Sequence, residues 1–346
     1  MTLLASEARA AARAWATTEG TALPGFAGAF LHGSMHALPA TATLPATSDV
    51  DLVVVLDRAA PPKLGKFRFR GVLLDVSFLP RDEIASPEQV LRQYHLAGSL
   101  AAPGILADPT GHLAALHAEV AREFARRVWV ERRCRDAENR VWRHLASAST
   151  GEPLPDQVTA WLFAAGVSVH ILLVAALRNP TVRRRYLDAR ELLSRYGHAA
   201  FYEELLDHLG GASMTQERAM RHLDTVAAAF DAAARVITTP FFFASDLTPL
   251  ARPLAIDGSQ ELIRRGDQRE AVFWLVATAS RCQQVFHADA PDLESVFLPG
   301  YHELLADLGI TSAADLERRK EEVATFLPRV MVVARAIVVA NPEITA

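Results

Sequence analysis

The run "TSDVDLVVVLD", Thr47 to Asp57, sets Asp49 and Asp51 two residues apart at the head of an apolar strand, alternating with Val50 and Leu52. In a strand, residues i and i+2 project from one face about 6.6 Å apart. Two neighbouring carboxylates repel each other, and a divalent cation removes that cost. Magnesium takes hard oxygen ligands at about 2.1 Å and commonly links one or two carboxylates to substrate phosphates. A third acid, Asp75, lies in "GVLLDVSFLP". If its strand runs beside the first, all three acids converge on one or two ions, about 4 Å apart in phosphoryl-transfer sites. Upstream, "FLHGS" ends another apolar run on Gly33 and Ser34. A glycine there lets backbone approach a phosphate closely, and a serine adds a hydroxyl and an N–H to cradle it. Ser48, just before the acid pair, reads either as a turn cap or as a further phosphate contact. His32 reads as an ordinary strand-end side chain.

These residues need a sheet to hold them. Residues 26 to 109 change pattern every few positions: "GFAGAFLHGS", "VDLVVVLD", "KFRFRGVLLDVSFLP" and "GILADPTG" are short β-rich runs bounded by Gly, Pro and Asp. "DLVVVLD" is apolar on both faces after Asp51, as a central strand covered on both sides should be. Gly71, mid-run, favours a hairpin over one bent strand. Between the last two runs, "SPEQVLRQYHLAGSLA" has Ser86 as N-cap, Pro87 at the first helical position and Gln89 at capping-box spacing, predicting one helix. "MTLLASEARAAARAWATTEG" reads as an Ala-rich amphipathic helix, with Glu7, Arg9 and Arg13 in its pattern, not a signal peptide. The expectation is an α/β domain over 1–118, a mixed sheet with flanking helices.

From 119 to 346 apolar residues recur at helical spacing, in segments such as "DQVTAWLFAAGVSVHILLVAALR" and "DQREAVFWLVATASRCQQVFHA", so an all-α helical bundle is expected. The Pro- and aromatic-rich stretch from 238 to 259 reads as an ordered connection. Two domains also suit a chain of 346 residues, and imply a cleft between them.

With 36 Lys and Arg against 40 Asp and Glu, the net charge is −4, and the pI is near 6.3. Nothing global draws such a chain to nucleic acid or an anionic membrane, and a cationic or neutral small substrate suits it better. Cys134 and Cys282 lie far apart, outside any C-x-x-C pair, which excludes a disulfide framework and points to reducing cytoplasm. The apolar stretch "VMVVARAIVVA" is short of the ~20 residues a bilayer span needs and contains Arg335.

"FLHGS", then "TSDVDLVVVL", then "LLDVSF" resemble the signature of the nucleotidyltransferase superfamily, in its small bacterial branch with the kanamycin and streptomycin nucleotidyltransferases. "GILADPTGHLAAL" is similar to the last strand and following helix of that catalytic domain. The resemblance covers roughly residues 25 to 120, and beyond them it is one of architecture. One departure is that fourteen residues, Met35 to Ser48, separate Ser34 from Asp49, at or slightly past the long end of the family's usual spacing.

The resemblance implies an enzyme that moves a nucleoside monophosphate, AMP from ATP first among the nucleoside triphosphates, onto a hydroxyl of a small aminoglycoside-like acceptor, with pyrophosphate released. Asp49, Asp51 and Asp75 would be catalytic and would hold one or two Mg2+ ions. Gly33, Ser34 and Ser48 would bind the nucleotide. An acid is implied as general base, with Asp75, Asp136 and Glu138 as candidates. Arg183, Arg184 and Arg185 could hold a triphosphate, and Glu270 and Asp246 could line the pocket of a cationic substrate. Rival readings are a transferase acting on protein or RNA, and a catalytically silent nucleotide-binding or antitoxin-like module. The acceptor is expected in the interdomain cleft, and a homodimer fits relatives that build the site across two subunits.

Overall fold

The computed structural model describes residues 3–36, 38–147, 149, 151–179 and 183–346. By contacts the chain divides into two compact units. One is Met1–Asp136 with Val174–Val182 and Asn341–Ala346, and the other is Ala137–Leu173 with Arg183–Ala340. The first unit thus extends past the 1–118 segment marked out by composition, and takes back two later pieces of chain.

Among the described residues the first unit holds a five-stranded sheet: β1 (Phe26–Leu31), β2 (Val50–Leu56), β3 (Gly65–Phe69), β4 (Val72–Pro80) and β5 (Ile105–Ala107). Their order is β3-β4-β2-β1-β5. β2 and β4 run parallel, and the other neighbours pair antiparallel, so the sheet is mixed. β3 and β4 form the expected hairpin, with Phe69 opposite Val72. The two turn residues between them, Arg70 and Gly71, both have positive φ (49° and 82°), the backbone of a type I′ turn.

Period-2 alternation splits β2 between two cores. Val50, Leu52, Val54 and Leu56 pack with Leu74, Val76 and the Ala-rich face of α1 (Ala5–Thr18). Val53 and Val55 pack on the opposite face with Phe30, Leu79 and the helices that follow the sheet. β2 is therefore covered on both sides, as its apolar run predicts. α1 buries Ala5, Ala8, Ala11, Ala12, Trp15 and Ala16, and its Arg13 guanidinium donates to the Ile105 and Leu106 carbonyls at 2.9 and 3.0 Å.

The segment after Ser86 differs from expectation. Ser86 and Gln89 do form the capping box, but α2 (Pro87–Leu91) is one short turn, and α3 (Ala97–Ala101) follows as a separate one. Between the two, the Tyr94 N–H donates to Asp136 Oδ2 at 3.1 Å. Likewise the helical pattern from His112 onward is two helices, α4 (His112–Glu123) and α5 (Arg127–Leu145).

The second unit contains only helices as regular structure among its described residues. It comprises the end of α5, most of α6 (Leu154–Ala175), then α7 (Arg185–Arg195), α8 (Ala199–His208), α9 (Gln216–Val236), α10 (Gly258–Arg264), α11 (Gln268–Asp289), α12 (Pro291–Asp307) and α13 (Ala313–Ala340). The 238–259 stretch is ordered: Asp289 accepts from the backbone N–H and hydroxyl of Thr238 and Thr239, and Phe243 is buried.

Two helices, Leu154–Ala175 and Ala313–Ala340, are long and apolar enough to cross a membrane by length and composition, and 89% and 44% of their most apolar windows are buried within the protein. The apolar stretch before Ala340 is therefore the last part of a 28-residue helix, not an isolated short segment. The burial of α6 is that of a core helix.

Candidate active site

The parallel pairing of β2 with β4 sets Asp51 directly opposite Asp75. Asp49, two residues before Asp51, joins them, and the three carboxylates each offer an oxygen within 4.8 Å of the others. The i, i+2 spacing on β2 and the acid on β4 thus meet as the alternation requires.

Gly33 and Ser34 lie in a short 3-10 turn, Gly33–His36, just after β1. The His32 N–H donates to the Asp51 carbonyl at 2.9 Å, which anchors this turn to the head of β2. Gly33 has φ +66°, and a Cβ built on it would lie 2.2 Å from Asp51 Oδ2. Only glycine combines that backbone with that approach. Ser34 is half-buried beside it. The Ser48 backbone N–H closes a turn onto the Pro45 carbonyl at 3.0 Å.

The insert between Ser34 and Asp49 is folded against the N-terminal helix. Its described part places Met35 and Leu44 in the core and pairs Thr43 with Leu4. Ala5 and Ser6 donate to the Ala42 and Ala40 carbonyls at 2.8 and 3.0 Å, so the long spacing is accommodated as packed structure.

Two residues outside the sequence reading complete the geometry. Lys66, register partner of Asp75 on β3, places Nζ 2.5 Å from Asp75 Oδ2 and 3.2 Å from Asp49 Oδ2. Lys63 reaches the same Asp75 oxygen at 2.7 Å. Asp75 Oδ1, by contrast, is buried and accepts no hydrogen bond among the described residues. A buried carboxylate oxygen without a partner costs stability, and a hard cation is the ligand that would satisfy it. The donor set, three carboxylates around one orphaned oxygen, fits magnesium.

Burial first, then the charges of Asp49 and Asp75, push the Asp51 carboxyl up to about 8, against the opposing pull of Lys66 and Lys63. His32 is held low, at about 4, by burial and by the neighbouring His95 and His36. Its Nδ1 lies 2.8 Å from the Ser99 hydroxyl. The imidazole is thus neutral.

Asn179, on a piece of chain that returns to the first unit, donates from Nδ2 to the Gly33 carbonyl at 3.2 Å. Truncating it to alanine removes that hydrogen bond, a change of about 1 kcal/mol. The expected result for Asn179→Ala is a nearly unchanged melting temperature with several-fold weaker magnesium-dependent nucleotide binding, checked by calorimetry.

Most of the other sequence candidates have local partners. Asp136 accepts from the Tyr94 N–H at 3.1 Å. Glu138 is half-buried on α5. Arg184 pairs with Asp188 at 3.0 Å, while Arg183 and Arg185 sit over the Trp274 and Phe273 rings. Glu270 is buried and accepts from the Tyr202 hydroxyl at 2.5 Å and from Arg190 at 2.8 Å, and Asp246 pairs with Arg281 at 3.2 Å. All of these except Asp136 belong to the second unit.

No protein-family model matches the chain, and no curated protein matches it in sequence.

Proposed function

We propose that this protein is a magnesium-dependent nucleotidyltransferase with a nucleotidyltransferase-type N-terminal domain. The observation that carries the reading is the meeting of Asp49, Asp51 and Asp75 at the head of two adjacent parallel strands, with the Gly33 backbone packed against Asp51. Asp49, Asp51 and Asp75 would hold the metal, which when bound supplies charge neutralisation at the phosphates and a Lewis-acid contact. Gly33 and Ser34 offer backbone N–H groups and a hydroxyl to the triphosphate, and their turn is fixed by the His32 N–H and by Asn179.

In the reaction an acceptor hydroxyl attacks the α-phosphorus of a nucleoside triphosphate. The new O–P bond forms as the bond to the β-phosphate oxygen breaks, and pyrophosphate leaves. The hydroxyl proton passes to a base, for which Asp75 or Asp51 are the nearest acids of the site. Catalysis is mainly positioning and charge neutralisation. ATP is the first nucleotide to test, and a small cationic polyol of the aminoglycoside kind is the acceptor class that suits the acidic chain, acting in the cytoplasm.

Calorimetry with a non-hydrolysable α,β-imido analogue of each nucleoside triphosphate tests the first half of this reading. Binding should require magnesium and should be lost in Asp49→Asn/Asp51→Asn. Equal binding with and without magnesium would contradict it.

A further inference from the structure

We propose that the acidic site takes a single divalent cation, because Lys66 supplies in covalent form the positive charge that a second ion would bring. This rests on the reading of the three acids as a metal site, and adds to it the number of ions and the residue that sets it.

The ammonium of Lys66 bridges two of the three acids, 2.5 Å from Asp75 Oδ2 and 3.2 Å from Asp49 Oδ2, and its side chain is 7% exposed. Its position is built into the sheet. The two-residue turn fixes the β3–β4 register, which sets Lys66 opposite Asp75. Strand-borne side chains are better positioned than loop-borne ones, and an ammonium this buried does not leave for solvent without opening the hairpin face. Lys63, which precedes β3 and is more exposed, adds a second contact to the same Asp75 oxygen.

The division of the Asp75 carboxylate is the informative detail. Both lysines take Oδ2, and Oδ1 is buried without a hydrogen bond. One oxygen is thus committed to ammonium, and the other is left for a cation shared with Asp51 across the ladder. Charge leads to the same count. With all three carboxylates ionised, as a bound cation would have them, the two ammoniums leave the cluster one negative charge, and one divalent ion turns this into a single positive charge, suited to a triphosphate. A second divalent ion would sit against a buried ammonium at contact distance, where like-charge repulsion in a low-dielectric site is severe.

Manganese alone serves as the probe, counted by equilibrium dialysis and electron paramagnetic resonance on the full chain. Wild-type protein should bind one ion per chain at saturation. Lys66→Met keeps the length of the side chain, removes its charge, frees Asp49 Oδ2 and leaves only the more exposed Lys63 on Asp75 Oδ2, so it should bind two. Lys66→Arg keeps the charge and should remain at one. Two ions on the wild type, both lost in Asp51→Asn, would overturn the role of Lys66 while leaving the metal site standing. One ion on Lys66→Met would likewise overturn it. No ion on the wild type would overturn this proposal and the metal reading together. If Lys66→Met fails to fold, a wild-type count other than one still overturns the proposal.

Discussion

Asp51→Asn is expected to lose transfer activity by at least about 10²–10³-fold, on the order found when one preorganised charge-stabilising group is removed, while the metal-free protein becomes more stable. The two effects share one cause. Asp51 faces Asp75 across the β2–β4 ladder and is pushed up to about 8 by burial and by the like charges of Asp49 and Asp75. In the unfolded chain the same carboxyl titrates near about 3.9. As pH rises between these values the unfolded state gives up its proton first, so this group lowers the stability of the metal-free chain through about pH 4 to 8. Lys63 and Lys66 offset part of that cost. The asparagine side chain keeps the shape without the charge, and the metal-free variant should melt a few degrees higher above pH 8, corresponding to about 1–3 kcal/mol. Saturating magnesium should shrink this difference by stabilising only the wild type. Thermal melts of both proteins across pH, with and without magnesium, check the prediction. A variant that is less stable than wild type at every pH would contradict it.

Gly33→Ala carries the second large effect. The residue needs φ +66°, and a Cβ there would meet Asp51 Oδ2 at 2.2 Å. An L-residue in this backbone region costs about 1–2 kcal/mol before any clash. The clash cannot be relieved by a long flexible side chain, because a short carboxylate on a central strand is what must move. The expected result is a loss of about 1–3 kcal/mol in stability, together with loss of magnesium-dependent nucleotide binding. Ser34→Ala, which removes only a hydroxyl, should retain the fold and weaken binding far less. Calorimetric titration of both variants separates backbone geometry from hydroxyl contact, and comparable losses in the two would refute the role given to Gly33.

Much of this site is legible in residue order. Asp49 and Asp51 share a face by strand alternation, and the β-rich pattern around Asp75 brings the third acid within reach. The hairpin at Gly71 is also legible, because a glycine there admits a positive-φ turn. Lys66 is recoverable by counting: a two-residue turn pairs 69 with 72, and three steps further pairs 66 with 75. What hides it is that turn length is not fixed by one glycine. The contact made between α2 and α3 is hidden for another reason, since the Asp136 carboxylate that takes the Tyr94 N–H lies 42 residues away. The return of residues 174–182 to the first unit is equally invisible, because the apolar pattern of α6 runs through Leu173 and Val174 without a break. Asn179 belongs to that returning segment, which is why no local signal links it to Gly33.

The most direct test follows the phosphorus. A nucleoside triphosphate labelled at the α-phosphate is incubated with the protein, magnesium and a panel of aminoglycosides and other polyhydroxylated acceptors. Label is expected on one acceptor with an equal amount of pyrophosphate released, both absent with Asp51→Asn. Orthophosphate released from the γ-position with the label still on the nucleotide, or label transfer that Asp51→Asn retains, would contradict this reading.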